Sequence, residues 1–458
     1  MVVARTARDT RHVTSSTSPA APGARDARPD TADAGAAAGI TSTDVLVVGA
    51  GPAGSAAAAW VARAGYDVVL ADAATFPRDK TCGDGLTPRA ISEMDRLGMS
   101  GWLAGRAVNW GLRAAGFGQE LYLPWPGGSL PARGGAAPRM ELDAALRDVA
   151  LADGAVGVQG ARAVDVVRDG DRVAGVVFAG PGGARRTIGC NRLVVADGAR
   201  SQLGRVLGRE WHRDTAYGIA ARGYVKSARS DDPWISSHLE LRGSAGELLS
   251  GYGWVFPLSG GEVNLGVGTL ATARHPADVN LRGLLEHYAT LRRSEWELEG
   301  EVRSPSSALL PMGGAVSGVA GPNWALVGDA AGCVNPLNGE GIDYGLETGR
   351  LFAEVIAGDR YRTLDLTTAW PATLRRHYGE AFSIARRLAG LLTVPGLLPL
   401  AGPVGMRSRP LMKLALRVMG NLVTAQDRDL LARVWRTAGR LSLQIDHRPP
   451  FPAPDLRS

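Results

Sequence analysis

Cysteine and lysine are both scarce in this chain of 458 residues. The cysteines, Cys82, Cys190 and Cys333, are odd in number and far apart, which excludes a disulfide scaffold. None of them belongs to a CxxC pair or a Cys/His cluster, so the sequence predicts no metal site. Because lysine is so rare, arginine carries most of the positive charge.

Long apolar runs are also missing. The mean hydropathy of -0.04 excludes a protein with several membrane spans. Residues 388–406 carry no charge, but Pro395, Pro399 and Pro403 preclude one straight spanning helix. Hydrophobic residues nevertheless make up 45% of the chain, which is enough for a sizeable core in two or three domains.

Residues 1–43 contain almost no large apolar side chain, so they cannot offset the entropy of ordering, and they are predicted to be a disordered tail. The tail lacks the apolar centre of a secretory signal, and its aspartates argue against a transit peptide. The sequence therefore predicts a cytoplasmic protein.

Positive charge is concentrated at the other end of the chain. Residues 371–458 carry fourteen Arg and Lys against five Asp and Glu. Cations flank the charge-free segment on both sides: Arg386, Arg387, Arg407, Arg409, Lys413 and Arg417. This pattern predicts a peripheral contact with an anionic membrane surface, at the inner face of the cell membrane. A helical lid is the alternative. Nucleic acid is not an expected partner, because stacking aromatics are not interleaved with the basic residues.

A strand, a glycine-rich turn, a helix and a second strand follow one another from Asp44. Gly49 permits the tight turn, Gly51 admits a pyrophosphate, and Gly54 lets the helix pack closely on the sheet. A carboxylate at the end of the second strand can accept ribose hydroxyls. In a chain with 61 glycines such a turn can arise by chance, but this context predicts a dinucleotide site. Its residues are Gly49, Gly51, Ala53, Gly54, Ser55 and Asp72.

A second pattern, near residue 330, resembles the second FAD fingerprint of the hydroxylase-like flavoprotein superfamily. The resemblance implies that Asp329, after Gly328, holds the ribityl chain, and that the amides of Gly341 and Ile342 face the flavin. Arg139 matches a superfamily arginine near FAD, although an arginine at a helix start is otherwise unremarkable. For the pattern near residue 330, the alternative is a surface loop with a capping aspartate. The implied cofactor is FAD.

Two further motifs resemble the geranylgeranyl reductase family. Lys80, Cys82 and Gly83 match its KxCG motif. The family's aromatic signature matches residues 252–257 but departs where Leu249 replaces a proline. The runs CGDGLTPRA and NPLNGEGIDYGLETGR are similar to the menaquinone-reducing branch in actinobacteria. The resemblance implies a cofactor-contacting loop, Lys80, Cys82, Gly83, Asp84 and Gly85, and the catalytic residues Cys82, Tyr252 and Trp254.

By this resemblance the protein is an FAD-dependent oxidoreductase that saturates a C=C bond. Its partners would be an isoprenoid quinone or another prenyl lipid, and an electron donor such as NADPH, ferredoxin or a reductase. No second GxGxxG precedes a helix, so a nicotinamide donor would bind only transiently.

The residues themselves support this chemistry. Tyr252, Trp254 and Phe256 alternate along a predicted strand, so all three project from one face. Such an aromatic wall suits an extended hydrocarbon chain, although plain core packing gives the same pattern. Cys82, in a glycine-rich turn, is a candidate proton donor or a small buried hydrophobe.

The predicted fold class is α/β: a Rossmann-like FAD-binding domain, an inserted antiparallel β-sheet substrate domain and a helical C-terminal region. The FAD-binding domain comprises residues 44–104, 136–210 and 305–360, and the substrate domain 105–135 and 211–304. Residues 361–458 form the basic helical region.

Three rival functions remain open at this point. A flavin-dependent monooxygenase or halogenase shares the fingerprints, although the halogenase WxWxIP pattern is not present at residues 252–257. A reductase of geranylgeranyl diphosphate or another prenyl lipid is the second. The third is a flavin-stabilised lipid-binding module without catalysis.

Overall fold

The structure, a computed structural model, describes residues 39–180, 183–359 and 363–452. Most of the predicted disordered tail therefore lies outside the described residues. The first strand begins at Ser42, so the last two residues assigned to that tail belong to the sheet instead.

The strands are, in chain order, β1 (Ser42–Val48), β2 (Val68–Ala71), β3 (Gly85–Leu86), β4 (Ala107–Asn109), β5 (Gly111–Gly116), β6 (Gln119–Pro124), β7 (Gly134–Ala136), β8 (Val156–Val158), β9 (Arg162–Asp169), β10 (Arg172–Ala179), β11 (Arg185–Val195), β12 (Glu210–Trp211), β13 (Tyr217–Ser227), β14 (Ile235–His238), β15 (Gly251–Pro257), β16 (Glu262–Ala271), β17 (Leu298–Pro311), β18 (Val316–Ser317), β19 (Ala320–Gly321) and β20 (Trp324–Leu326). The helices are α1 (Pro52–Arg63), α2 (Pro88–Arg96), α3 (Ser100–Leu103), α4 (Arg139–Ala152), α5 (Gln202–Val206), α6 (Leu281–Arg292), α7 (Ile342–Ala357), α8 (Leu366–Leu374), α9 (Glu380–Leu392), α10 (Leu397–Arg407), α11 (Arg409–Met419) and α12 (Leu430–Gln444). A 3₁₀ turn covers Gly328–Ala331, and a π-helical turn joins α8 to α9 at Arg375–Gly379.

The largest sheet forms the Rossmann-like domain. Its order is β19-β20-β11-β1-β2-β8, and β10 and β9 extend it from the first half of β11. β1 lies between β2 and β11, parallel to both, and its residues 45–48 are buried. A central parallel strand is continuously apolar because both faces of the sheet are covered. The predicted α/β fold with a Rossmann-like domain is confirmed.

Helices α1 and α7 cross at unusually close range above this sheet. A side chain at Gly349 of α7 would place its Cβ 2.6 Å from the amide nitrogen of Ala57 in α1. A Cβ at Gly345 of α7 would lie 3.4 Å from the amide nitrogen of Ala53, which is ordinary contact distance. The small residues of both helices therefore fix where the glycine-rich turn meets the second fingerprint, since one precedes α1 and the other precedes α7.

The second large sheet has the order β17-β13-β16-β15-β14-β5-β6. It is antiparallel, as predicted, except between β14 and β5, which run parallel. The predicted domain boundary at 305 falls inside β17, which continues to Pro311. Strands β4 and β7, at the two ends of segment 105–135, belong with β3 to a separate small sheet.

The C-terminal region is helical, and α9 and α10 are separated by a sharp bend after Leu392. Within the described ranges, no single helix combines the length and the apolar composition needed to cross a membrane. One bent pair, Leu366–Leu392 with Leu397–Arg407 at 112°, meets those criteria together. The predicted interruption by prolines corresponds to this bend, because Pro395 lies between the two helices.

Candidate active site

The glycine-rich turn between β1 and α1 has the shape of a phosphate cradle. Gly49 adopts φ +104°, and a Cβ there would lie 2.3 Å from the carbonyl oxygen of Ala196. A Cβ at Gly54 would lie only 1.7 Å from the carbonyl oxygen of Gly49. Both positions therefore require glycine, and α1 begins at Pro52, so the N-terminus of this helix lies at the turn.

Two arginines stand over Gly51, the second glycine of the turn. A Cβ on Gly51 would lie 3.5 Å from an Arg78 guanidinium nitrogen and 3.9 Å from one of Arg139. Arg139 is buried and makes a bidentate pair with Asp143, with both N–O distances 2.6 Å. Open backbone under two guanidinium groups fits a pyrophosphate, so the residues present fit the dinucleotide cofactor.

Asp72 directly follows β2 beside this cradle. Its carboxylate accepts the backbone amides of Ala50 at 2.7 Å and Ala74 at 2.8 Å. These bonds fix its orientation, and it lines the cavity described below. A carboxylate has room for further donors, so Asp72 remains suited to ribose hydroxyls.

The second fingerprint lies at the start of α7. Gly341 caps this helix, and a Cβ there would lie 2.9 Å from Oδ1 of Asp329. Asp329, Gly341 and Ile342 all line the same cavity as the cradle. The positive end of the α7 dipole, which stabilises anions, therefore faces this cavity.

A cavity of about 880 Å³ joins these parts. Most of the residues predicted to form the site line it: Gly49, Gly51, Ala53, Asp72, Lys80, Cys82, Gly83, Asp84, Gly85, Arg139, Tyr252, Trp254, Asp329, Gly341 and Ile342. Three predicted residues are not among its lining: Gly54, Ser55 and Gly328. The Ser55 hydroxyl instead donates to the carbonyl of Ala50, and the glycines serve close packing.

The loop of residues 80–85 packs directly on the aromatic strand β15. A Cβ at Gly83 would meet the Trp254 and Phe256 rings at 3.2 Å, and one at Gly85 would meet Phe256 at 3.0 Å. Both glycines therefore let the loop approach the rings closely. The two motifs, about 170 residues apart in sequence by their numbering, form one wall of the cavity.

The aromatic residues of β15 project from one face, as their alternation predicts. The ring centroids of Tyr252 and Trp254 are 6.0 Å apart, and those of Trp254 and Phe256 are 6.2 Å apart. The Tyr252 hydroxyl donates to the carbonyl of Asn338 at 2.5 Å. Tyr252 thus presents its ring to the cavity while its proton is held by the backbone.

Cys82 is half-buried at this wall, and its sulfur accepts the amide of Asp84 at 3.4 Å. Burial raises the pKa of the thiol, and the positive charge of Arg139 opposes that rise. The thiol is therefore protonated at neutral pH. If it gives up its proton, the thiolate has a guanidinium beside it.

Asn264 was missed by the sequence analysis, yet it joins the loop to the wall. Its side-chain oxygen accepts Trp254 Nε1 at 2.9 Å. Its side-chain nitrogen donates to the Cys82 carbonyl and to Asp84 Oδ2, both at 2.9 Å. The available signal was a lone asparagine between Val263 and Leu265 in an apolar strand, since a buried amide needs partners.

The far part of the cavity is apolar and was also not predicted residue by residue. Strands β5 and β6, the turn between them and the segment after β6 contribute one side, and α10 and α11 contribute the other. The side chains include Leu112, Phe117, Leu123, Trp125, Leu398, Met406, Met412 and Leu416. The Phe117 ring packs against Gly402 of α10, where a Cβ would lie 2.4 Å away. The cavity thus extends from an end lined by charged side chains to an end lined by apolar side chains.

Comparison with known proteins agrees with this geometry. A family model described as an FAD binding domain matches residues 42–241. The chain is 62% identical to the menaquinone reductase of Mycolicibacterium smegmatis over 411 residues, which is 90% of this chain and 99% of that protein. The menaquinone reductase of Mycobacterium tuberculosis is 59% identical over 410 residues, 90% of this chain and 98% of the relative.

The chain belongs to the family of these menaquinone reductases. It is more distantly related to digeranylgeranylglycerophospholipid reductase 1 of Methanopyrus kandleri, at 31% identity over 68% of this chain and 80% of that protein. The predicted family and the FAD cofactor are confirmed.

Solved structures show the same fold. A geranylgeranyl bacteriochlorophyll reductase-like protein from Thermoplasma acidophilum aligns with a TM-score of 0.68 and 20% identity, over 89% of this chain and 97% of its own. A flavin-dependent brominase aligns with a TM-score of 0.66 and 20% identity, over 88% of this chain and 99% of its own. At these identities the fold alone is shared, so the fold does not separate a reductase from a halogenase.

Proposed function

We propose that this protein is an FAD-dependent reductase that saturates a C=C bond in the isoprenoid side chain of menaquinone. The observation that carries the proposal is the single cavity that begins at the phosphate cradle, passes Cys82 and the aromatic wall, and ends between apolar strands and helices. The names of the relatives with 59% identity or more support the same substrate.

Different residues would hold different parts of the cofactor. The turn at residues 49–54, Arg78 and Arg139 would bind the pyrophosphate, while Asp72 and Asp329 would bind the ribose and ribityl hydroxyls. The first amides of α7 would face the flavin. When bound and reduced, FAD supplies the hydride for the double bond.

Side chains of the protein carry out the remaining steps. An isolated alkene has no carbonyl to accept charge, so a proton must reach one carbon as the hydride reaches the other. Cys82 is the proposed proton donor, because its thiol is protonated and faces the cavity. Tyr252 and Trp254 would hold the chain against the flavin and exclude water.

The electron donor is proposed to be external, either a nicotinamide cofactor that binds transiently, a ferredoxin or a reductase protein. Reduction of the purified holoenzyme by each candidate in turn, followed by flavin absorbance, identifies the donor. Bleaching at a rate that keeps pace with turnover is the expected result for the true donor.

The lipid is proposed to enter from an anionic membrane surface at the cytoplasmic face. Leu391, Leu400 and Val404 are exposed on α9 and α10, while the inner faces of these helices line the cavity. Exposed cations lie nearby at Arg387, Arg407, Arg409 and Lys413. Two of the cations predicted to flank the charge-free segment form ion pairs within the protein instead. Arg386 pairs with Asp446, and Arg417 pairs with Asp429.

The proposed reaction is tested by mass spectrometry of menaquinone before and after incubation with the reduced holoenzyme. The expected product carries two additional hydrogen atoms in the side chain. Uptake of oxygen coupled to an oxygenated or halogenated product would replace the proposal by the monooxygenase or halogenase alternative. Preference for a prenyl diphosphate over the quinone would change the substrate but keep the reaction.

Cys82→Ala tests the proton donor. We expect alkene reduction to fall by about 100-fold or more, the usual contribution of a general acid, with FAD still bound. Cys190→Ala is the matched control, because Cys190 is buried in β11 away from the cavity lining. Unchanged turnover in Cys82→Ala removes this thiol from the mechanism.

A further inference from the structure

Asp84 is an unusual carboxylate, because it lies in the wall of a largely apolar cavity. Its side chain is fully buried, and its backbone has φ +62°, in the left-handed region. Oδ2 accepts the Tyr224 hydroxyl at 2.8 Å and the Asn264 amide at 2.9 Å. Oδ1 is buried without any hydrogen-bond partner among the described residues. A buried oxygen of this kind is costly unless it acts on something.

The groups around Asp84 come from four elements. Cys82 belongs to its own loop, Tyr224 and Arg222 to β13, and Arg139 to α4, while Asn264 of β16 is neutral. Burial raises the pKa of Asp84 to about 6, against the opposing effect of the Asn264 and Tyr224 hydrogen bonds and of Arg222 and Arg139. Asp84 therefore exchanges its proton close to neutral pH, whereas Cys82 loses its proton only at higher pH.

We propose that Asp84 is the proton reservoir that restores the Cys82 thiol after each turnover. This inference rests on the proposed function, since it concerns the second hydrogen of alkene reduction. It assigns to Asp84 a role different from the cofactor contact expected from the sequence.

The proton balance is complete in three steps. The alkene carbon takes a proton from the Cys82 S–H bond as the other carbon takes the hydride, which leaves a thiolate beside Arg139. The thiolate then recovers the proton of the Asp84 carboxyl through a water molecule, because the two groups line the same cavity without a direct hydrogen bond and the carboxyl is the stronger acid. Finally the Asp84 carboxylate takes a proton from solvent, and no electrons move in the last two steps.

Tyr224 is the group that passes the solvent proton to Asp84 in that last step. It is half-buried, unlike Asp84, and its hydroxyl is already bonded to the carboxylate. The hydroxyl can give its proton to Asp84 and take one from water. Tyr252 cannot serve in this way because its hydroxyl donates to a backbone carbonyl.

The first test measures alkylation of Cys82 by iodoacetamide as a function of pH, in the holoenzyme without substrate. Asp84→Asn suits the left-handed backbone and removes the negative charge that raises the thiol pKa. We expect equal rates in wild type and Asp84→Asn at pH 5, and a several-fold faster rate in the variant at pH 8. Asp79→Asn, which alters the same loop through its pair with Arg222, should keep the wild-type profile. Equal rates in Asp84→Asn and wild type at both pH values would overturn the coupling.

The second test compares one turnover with many. At pH 6, near the pKa of Asp84, the steady-state rate of Asp84→Asn should fall by about 100-fold more than the rate of its first turnover, because the Cys82 thiol is already protonated before that turnover. Tyr224→Phe should slow the steady state in the same way. A purely structural role lowers both phases, and either that result or two unchanged phases contradicts the proposal. Absence of any first turnover in wild type would instead reject the proposed function, while the alkylation result stands by itself.

Discussion

The two ends of the cavity are built by opposite means. At the Cys82 end, hydrogen bonds from buried side chains join separate elements, as Asn264 shows by joining β15, β16 and the loop. At the far end, α10 and α11 enclose the cavity with apolar contacts and leave Leu400 76% exposed. The comparison indicates that the Cys82 end of the cavity is rigid, whereas the lipid end is held together by weaker apolar contacts.

Gly54→Ala should have the largest effect on cofactor binding, because it adds a side chain at the closest contact of the rigid end. The new Cβ would lie 1.7 Å from the Gly49 carbonyl oxygen, so the turn must move. We expect FAD binding to weaken by more than tenfold, about 1.4 kcal/mol, measured by flavin absorbance after purification. Gly101→Ala, where nothing lies within 4 Å of the new Cβ, should keep its flavin. A yellow Gly54→Ala protein with normal affinity would contradict the cradle.

Asn264→Ala should break the link between the loop and the aromatic wall. The Trp254 indole N–H and the Cys82 carbonyl would each lose a buried partner, at about 1–3 kcal/mol per group. The free energy of unfolding in urea should fall by about 2–5 kcal/mol. The exposed Asn191→Ala should change it by less than about 0.5 kcal/mol. Equal stabilities of the two variants would show that the network does not hold the rigid end.

Asp84→Asn should stabilise the protein at high pH only. The folded-state pKa of Asp84, about 6, lies above its ordinary value of 3.8, so the folded chain binds this proton more tightly than the unfolded chain. Stability contributed by the protonated form is present below pH 3.8 and is lost as the pH rises through 6. The neutral amide avoids that loss, so the variant should gain up to about 3 kcal/mol over wild type at pH 8. Thermal or urea unfolding at pH 4 and pH 8 measures this, and a gain at pH 4 alone would reverse the sign.

Substitutions on the outer face of α10 should have the smallest effect on the fold and act on membrane binding instead. Leu400→Ser with Val404→Ser removes two exposed apolar side chains, so flotation with vesicles that contain acidic lipid should weaken several-fold. Stability should change by less than about 0.5 kcal/mol per site. Leu291→Ser, at a leucine that is 49% exposed on α6, is the control and should float like wild type. Identical flotation of all three proteins would reject this surface as the membrane contact.

Local sequence patterns predicted the parts of the site that lie within one loop or one strand. The cradle, the loop at residues 80–85 and the one-faced aromatic strand depend on neighbours a few residues apart. The partners of Asp84 could not be predicted in this way, because Tyr224 and Asn264 are 140 and 180 residues away. Only the packing of the second sheet against the loop brings them together.

The fold class was predictable because apolar strands and a glycine-rich turn are strong local signals. The parallel pairing of β14 with β5 was not, since the order of strands in a sheet depends on long-range packing. The same limit explains the boundary near 305: the alternating, half-exposed residues of β17 give no sign of where one sheet ends.

The most direct test of the whole account is an anaerobic single turnover of the reduced holoenzyme with menaquinone that carries an unsaturated side chain. Flavin reoxidation should yield one equivalent of quinone whose two new hydrogen atoms lie in the side-chain fragment by mass spectrometry. Reoxidation that leaves the side chain unsaturated and reduces only the quinone ring would contradict the account.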